Sequence, residues 1–222
     1  MDAIIPAAGL ASRMRGIPKF LLPCDLDYLT LIERHIENLI EFSETIWIPT
    51  RPELVGLLDS LGLAKDNVVI LPVRSENMTQ TVNRVMKVSS AEEFQLVMPD
   101  TYFYGETPYR IELDSESLVN LACWRIRPEQ LGKLGQVDID SNSRVIDIRD
   151  KDPNCKYDYS WGSLVFQKDL SRYMDMSEPH IGYAVKNALV SGEKIRANKI
   201  EGQYFDCGTP SEYISLLSEV LT

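Results

Sequence analysis

Arg13, Arg15 and Lys19 stand in a loop whose other positions are mostly small, with Ala7, Ala8, Gly9, Ala11 and Ser12 leading into it. Small side chains let a backbone approach a ligand closely, so that main-chain N–H groups and fixed cations converge on phosphate oxygens. The apolar run before the loop, Ala3 to Ala7, reads as a buried strand that breaks at Gly9 and leaves the cations at a strand end. The loop is neither a Gly-x-x-x-x-Gly-Lys-Ser/Thr phosphate loop nor a Gly-x-Gly-x-x-Gly dinucleotide turn. Asp100, after Pro99, and Asp206 each follow a short apolar stretch, and either one alone is an ordinary turn acid. His35 and His180 are the only histidines, His35 falls on an expected amphipathic helix, and no Ser/His/Asp arrangement stands out. Nucleophilic or histidine-based catalysis therefore has little to stand on.

The elements that must position these groups alternate. Leu29, Ile32, Ile36, Leu39 and Ile40 recur at helical spacing; Thr45 to Pro49 reads as a strand, Pro52 to Leu61 as a helix, and Asn67 to Pro72 as a strand. Thr79 to Val88 continues as a helix and Gln95 to Met98 as an apolar strand ending at Pro99-Asp100. Strict alternation predicts a parallel sheet with helices on both faces and ligands beyond the carboxyl ends of the strands, the edge that carries Gly9 to Lys19 and Asp100. Past Asp100 the pattern predicts a strand within Asp114 to Arg125, a short helix over Pro128 to Leu134 and a hairpin over Gln136 to Ile148. A strand over Trp161 to Phe166, a helix over His180 to Val190 and a strand over Ile195 to Ile200 follow. Gln203 to Gly208 is a strand and turn leading into a helix opened by the capping box Thr209-Pro210-Ser211-Glu212.

Composition narrows the partners. With 222 residues, 44% hydrophobic and 25% charged, the chain has the make-up of one globular domain. A formal net charge of -10 argues against a nucleic-acid groove or an anionic membrane surface as the main partner. Cys24, Cys123, Cys155 and Cys207 have no metal-ligand spacing and read as packing thiols of a reducing compartment. Asp2, Pro6 and Gly9 interrupt the first apolar stretch, so neither a signal peptide nor a membrane span is expected and the expected location is cytoplasmic.

Ala8-Gly9, Arg13 and Pro18-Lys19 resemble the signature loop of the nucleotidyltransferases that make activated sugars and polyols, Ala-Gly-Gly-x-Gly-x-Arg followed at variable distance by Pro-Lys. The compact spacing from Arg13 to Pro18 looks more like the cytidylyltransferases of isoprenoid precursor synthesis or the molybdopterin nucleotidyltransferases than the thymidylyltransferases, and Ala11 stands where the family usually has Gly. Pro99-Asp100-Thr101-Tyr102-Phe103-Tyr104-Gly105 and Asp206-Cys207-Gly208-Thr209-Pro210 resemble two further motifs in the same order, so the likeness spans nearly the whole chain. Asp147 to Pro153 resembles, inexactly, the Glu-Lys-Pro segment of the sugar enzymes, with Lys151 as the matching cation.

The resemblance implies a single-domain, Rossmann-like α/β/α sandwich with a mostly parallel sheet over residues 1–222, with 1–110 binding the nucleotide and 111–222 the acceptor. It implies that Arg13 and Lys19 act on the reacting phosphates, that Ala8, Gly9, Leu10 and Ala11 cradle the triphosphate, and that Asp100 and Asp206 jointly hold Mg²⁺ (or Mn²⁺), a hard cation that takes oxygen ligands. Gln80 and Thr81 are candidates for a base edge; Lys151, Trp161 and Gly162 for the acceptor. The implied reaction condenses a nucleoside triphosphate with a sugar 1-phosphate and releases pyrophosphate. Phosphocholine or another small phospho- or phosphono-alcohol as acceptor, and a non-catalytic nucleotide-binding subunit, are the alternatives. An Asp-x-Asp glycosyltransferase motif is missing at Asp100-Thr101-Tyr102. The base and the oligomeric state stay open.

Overall fold

In the computed structural model residues 1–221 are described, and Thr222, the end of the expected 1–222 unit, lies outside them. Strand β1 (Asp2–Ile4) is buried throughout and runs into a loop containing two 3₁₀ turns, Ser12–Met14 and Lys19–Leu21. Helix α1 (Leu31–Leu39) starts at Thr30, whose hydroxyl accepts the Glu33 N–H while the Glu33 carboxylate accepts the Thr30 N–H. This capping box starts the helix at Leu31, two residues after Leu29, which the apolar periodicity includes. Strand β2 (Ile46–Thr50), helix α2 (Pro52–Ser60) with Pro at its first position, strand β3 (Val68–Pro72), helix α3 (Met78–Val88), capped by Asn77, and strand β4 (Glu93–Val97) continue the alternation.

The second half departs from it. Strand β5 (Thr101–Gly105) is followed by β6 (Val119–Arg125), the hairpin of β7 (Gly135–Ile139) and β8 (Val145–Asp150), and the nine-residue β9 (Tyr159–Gln167). Helix α4 (Gly182–Val190), strands β10 (Ile195–Lys199) and β11 (Gly202–Asp206) and helix α5 (Pro210–Val220) complete the chain. The expected helix over Pro128 to Leu134 is only a 3₁₀ turn, Pro128–Gln130, because Leu131 leaves the helical region at a ψ of 131° and Gly132 then turns the chain with a φ of 70°. The expected hairpin turn forms: Asp140 accepts the N–H groups of Asn142 and Arg144 at 2.8 Å, and Ser143 takes a φ of 62°.

The main sheet has the order β10-β6-β9-β4-β1-β2-β3. It is parallel across β4, β1, β2 and β3 and again at β6 and β10, as the alternation predicts. It is antiparallel where β9 lies between β4 and β6. β9 returns from the β7–β8 hairpin and pairs with β7 as well; such pairing needs only a turn, whereas a parallel neighbour needs a crossover. Because β4 pairs with β9, one sheet runs through both halves of the chain.

Helices cover both faces. On one, Val82, Val85 and Met86 of α3 and Ala184, Val185 and Ala188 of α4 pack with Ile4, Leu96, Leu121 and Phe166. On the other, Ile32, Ile36 and Leu39 of α1 and Leu58 of α2 pack with Ile48, Val97 and Val165. Asp2, buried beneath the sheet's end, is satisfied by Trp47 Nε1 at 2.7 Å, Ser89 Oγ at 2.6 Å and Thr45 N at 3.2 Å. All four cysteines are free, and Cys24, Cys123 and Cys207 are buried, as packing thiols should be. No helix among the described residues is long and apolar enough to cross a membrane.

A second sheet matters most for the site. β5 and β11 pair antiparallel, with Asp206 opposite Thr101. The Cys207 N–H donates to the Asp100 carbonyl at 2.8 Å. Two acids far apart in sequence are thereby carried to the same strand ends.

Candidate active site

A cavity of about 400 Å³ opens beyond the carboxyl ends of β1 and β4. The loop after β1 forms one wall through Gly9, Ala11, Ser12, Arg13 and Lys19; Asp100 and Asp206 form the floor; Lys133, Asp150, Lys151, Trp161, Gly162 and His180 form the opposite wall. The loop is anchored where it leaves β1, since the Thr50 hydroxyl donates to the Ala7 carbonyl at 3.1 Å. Ala11 takes a φ of 50° and Arg15 a φ of 53°, so both occupy the left-handed region. At Ala11 the chain adopts the backbone of the glycine usual in such loops despite its methyl group, at a cost of about 1 kcal/mol. A Cβ on Gly9 would meet nothing within 4 Å, which leaves room above that backbone for a ligand.

The floor is electrostatically tense. Lys19 Nζ lies 2.5 Å from Asp100 Oδ2, and both side chains are about four-fifths buried. Asp206 has no such partner among the described residues. Burial first, then the charges of Asp100 and Glu212, push its carboxyl up to about 7, against the weaker pull of Lys19 and Lys151. Gly208 makes room for it: a Cβ there would stand 3.0 Å from Asp206 Oδ1. Tyr204, two residues before Asp206 on β11, also lines the cavity; burial, then Asp206 and Asp100, hold its phenol well above the usual range.

The opposite wall is built on the end of β8. Asp150 Oδ2 lies 2.9 Å from His180 Nε2. Burial works against ionisation of Asp150, but the His180 contact and then Lys151 hold its carboxyl below the usual range. Lys151 has a φ of 47°, and its N–H donates to Leu134 O at 3.1 Å, which turns the chain so that its side chain borders the cavity. Trp161 is 9% exposed and seated against Gly135, where a Cβ would come within 2.3 Å of Nε1.

The structure thus brings together Gly9, Ala11, Arg13, Lys19, Asp100, Lys151, Trp161, Gly162 and Asp206 around one cavity. It leaves four sequence candidates out of the lining. Ala8 is not among the lining residues, and Leu10, 70% exposed, points to solvent. Gln80 accepts from Glu76 N and donates to Met176 O at 3.1 Å, and the buried Thr81 hydroxyl bonds Ser75 and Asn77 O. Both polar groups are engaged inside the protein, Gln80 holding α3 to the segment before α4 and Thr81 holding the turn that leads into α3.

Asp150, His180, Lys133 and Tyr204 were not singled out as site residues by sequence reasoning. The period of two along β11 points to Tyr204 once Asp206 is chosen; the pairing of Asp150 with His180, 30 residues on, leaves no local signal. His35 stays in the core, where its Nδ1 meets Tyr109 OH at 2.8 Å, and burial and then Arg34 lower its pKa to about 4.

No protein-family model and no curated protein matches the sequence. Solved structures do match. The inositol-1-phosphate CTP transferase from T. maritima superposes with a TM-score of 0.77 at 16% identity, over 99% of this chain and 95% of the other. A UDP-glucose pyrophosphorylase from Acinetobacter baumannii gives 0.75 at 18% identity, over 98% and 92%. A UDP-glucose pyrophosphorylase complexed with UDP-glucose gives 0.78 at 17% identity, over 98% and 97%. The chain has the fold of the nucleotide-diphospho-sugar transferases, over 98% to 99% of its length.

Proposed function

We propose that the chain is a metal-dependent nucleotidyltransferase that transfers a nucleoside monophosphate from its triphosphate to a sugar 1-phosphate and releases pyrophosphate. The observation that carries this reading is the meeting of Lys19, Asp100 and Asp206 on the floor of one cavity, between a cationic small-residue loop and a wall bearing Lys133 and Lys151. One wall suits a triphosphate and the other a second phosphate. The neighbours named above act, by their names, on UDP-glucose and on inositol 1-phosphate with CTP, and they support this class of donor and acceptor.

The floor fits a divalent cation. Two carboxylates converge there, one resisting ionisation and the other already drawing in an ammonium group, so the site calls for positive charge. Among the described residues no group of three or more His, Cys, Asp or Glu is arranged as a metal cage. Mg²⁺ needs none, since it typically takes one or two carboxylates and completes its octahedron with water and phosphate oxygens. Bound to Asp100 and Asp206, it would supply charge stabilisation to the transferring phosphoryl group.

The chain's own residues do the rest. A phosphate monoester has a second pKa of about 6, so the acceptor arrives mostly as a dianion and no side chain need deprotonate it. Lys151 and Lys133 hold that dianion against the wall. Arg13, Lys19 and the loop's N–H groups neutralise the charge that grows on the non-bridging oxygens and on departing pyrophosphate. Asp150, kept ionised and oriented by His180, is an acceptor for a hydroxyl of the sugar.

The test is pyrophosphate release from ATP, CTP, GTP, UTP and dTTP, each against a panel of sugar 1-phosphates, inositol 1-phosphate and phosphocholine, with Mg²⁺. One pair should stand well above the rest. Phosphocholine as the best acceptor would favour the phospho-alcohol reading, with Trp161 beside the Asp150 charge as its cation site. Tight triphosphate binding without turnover of any pair would reject an enzyme of this class.

A further inference from the structure

Tyr204 is 6% exposed, yet it belongs to the cavity lining. Successive side chains on a strand alternate, so Tyr204 and Asp206 share one face of β11. Its ring is fixed from three directions. Trp124 packs against it with centroids 5.2 Å apart, Phe103 with centroids 6.0 Å apart, and Gly162 lies so close that a Cβ there would be 2.2 Å from Cε2. Its backbone is held too, since Gln130 Nε2 donates to the Tyr204 carbonyl at 2.8 Å. The side chain is therefore pre-positioned before any ligand arrives.

Its hydroxyl bonds to no other described residue and is not among the fully enclosed unpaired polar atoms, so it is open to the cavity. A tyrosine packed this closely ordinarily finds a partner for its hydroxyl, and this one is left available to a ligand. The ring packs against Gly162, beside Trp161 on the acceptor wall, and shares its strand face with Asp206 on the floor. A donor in this lining, unpaired within the protein, is available to a phosphate oxygen of an acceptor bound in the cavity.

We infer that the Tyr204 hydroxyl donates a hydrogen bond to a phosphate oxygen of the sugar 1-phosphate acceptor and so fixes that phosphate at the boundary between the two substrate walls. This rests on the nucleotidyl-transfer reading for the identity of the acceptor but not on turnover. It makes Tyr204 a substrate-binding residue, distinct from the carboxylates beside it and from Lys151 opposite.

The test is Tyr204→Phe, which removes the hydroxyl and keeps the ring, with thermal unfolding as the check on folding. Calorimetric titration uses glucose 1-phosphate as the acceptor probe and inorganic triphosphate as the probe of the loop. A hydrogen bond to a charged group is worth enough that the variant should bind glucose 1-phosphate roughly tenfold or more weakly than wild type. Inorganic triphosphate should bind both proteins alike. Equal affinity for glucose 1-phosphate, no binding of it by wild type, or equal losses for both probes would each overturn the assignment. Binding that depends on Tyr204 in a protein that turns over no pair would uphold it and reject the reaction alone.

Discussion

Lys19 and Asp100, 81 positions apart, form an ion pair of 2.5 Å at the floor of the cavity, so the cation of the loop after β1 stands on the carboxylate that the proposed function gives to a metal. The two roles compete. On the proposed reading a divalent cation at Asp100 would free Lys19 for the triphosphate, whereas in the structure its ammonium compensates the acidic floor. Lys19→Met should lower kcat/KM by roughly a hundredfold or more, as expected for loss of a charge that acts on the transition state. It should also make the metal-free protein less stable while tightening its affinity for Mn²⁺ alone. Calorimetry with Mn²⁺ in the absence of nucleotide checks this; weaker Mn²⁺ binding by the variant would contradict the competition.

Asp206 gives the site a pH signature. Its folded pKa of about 7 exceeds the value of about 4 for an unfolded aspartate. The folded state therefore holds more protons than the unfolded state between those limits, and stability falls as pH rises through that window, with the loss complete above pH 7. Asp206→Asn should remove this slope from the metal-free protein. Saturating Mg²⁺ should reduce it in wild type, because the cation favours the ionised carboxylate. Thermal unfolding from pH 4 to 8 decides the matter, and an unchanged slope in Asp206→Asn would show that another group titrates.

The first half of the fold is readable from residues because its signals are local. Ile32, Ile36 and Leu39 mark α1 by period, and the apolar runs of β1, β2 and β4 are bounded by turn residues. The β5–β11 sheet is not readable in that way. Tyr102-Phe103-Tyr104 and Gln203-Tyr204-Phe205 are short aromatic runs whose pairing depends on contacts about a hundred residues apart. The direction of β9 is hidden for the same reason.

In the site, the loop cations and the two acids stand out because each belongs to a local motif. Gln80 and Thr81 mislead because a polar side chain at a helix start looks the same whether it meets a ligand or, as here, Met176 O and Ser75. His180 stands in the sequence only as one of two histidines, because its partner, Asp150, belongs to another element.

On the proposed reading Lys151 would separate binding of the acceptor from the chemistry that follows. From the wall it shares with Trp161 and Gly162 it would touch the acceptor before the reaction as well as during it. Lys151→Ala should raise the acceptor's KM by roughly ten- to a hundredfold with a much smaller change in kcat or in the KM of the triphosphate. Steady-state kinetics with each substrate varied in turn provide the check. A rise confined to the triphosphate would move Lys151 to the other half of the site.

Gly162 is where packing and recognition meet. A Cβ at this position would lie 2.2 Å from Cε2 and 2.7 Å from Cδ2 of Tyr204. The ring cannot withdraw, because Trp124 and Phe103 back it at 5.2 and 6.0 Å. Gly162→Ala must therefore displace the ring or the β9 backbone, and overpacking of this kind costs about 1–3 kcal/mol. The displaced phenol would also leave the acceptor's phosphate, so acceptor affinity should fall with stability. Shortening Tyr204 removes the obstacle, and in a Tyr204→Ala background the penalty of Gly162→Ala should shrink to a few tenths of a kcal/mol, about the error of additivity. Denaturant unfolding of the wild type, both single variants and the double variant measures the coupling. Strictly additive losses would mean that the alanine methyl group is accommodated without moving Tyr204, and that the glycine serves the backbone of β9 instead.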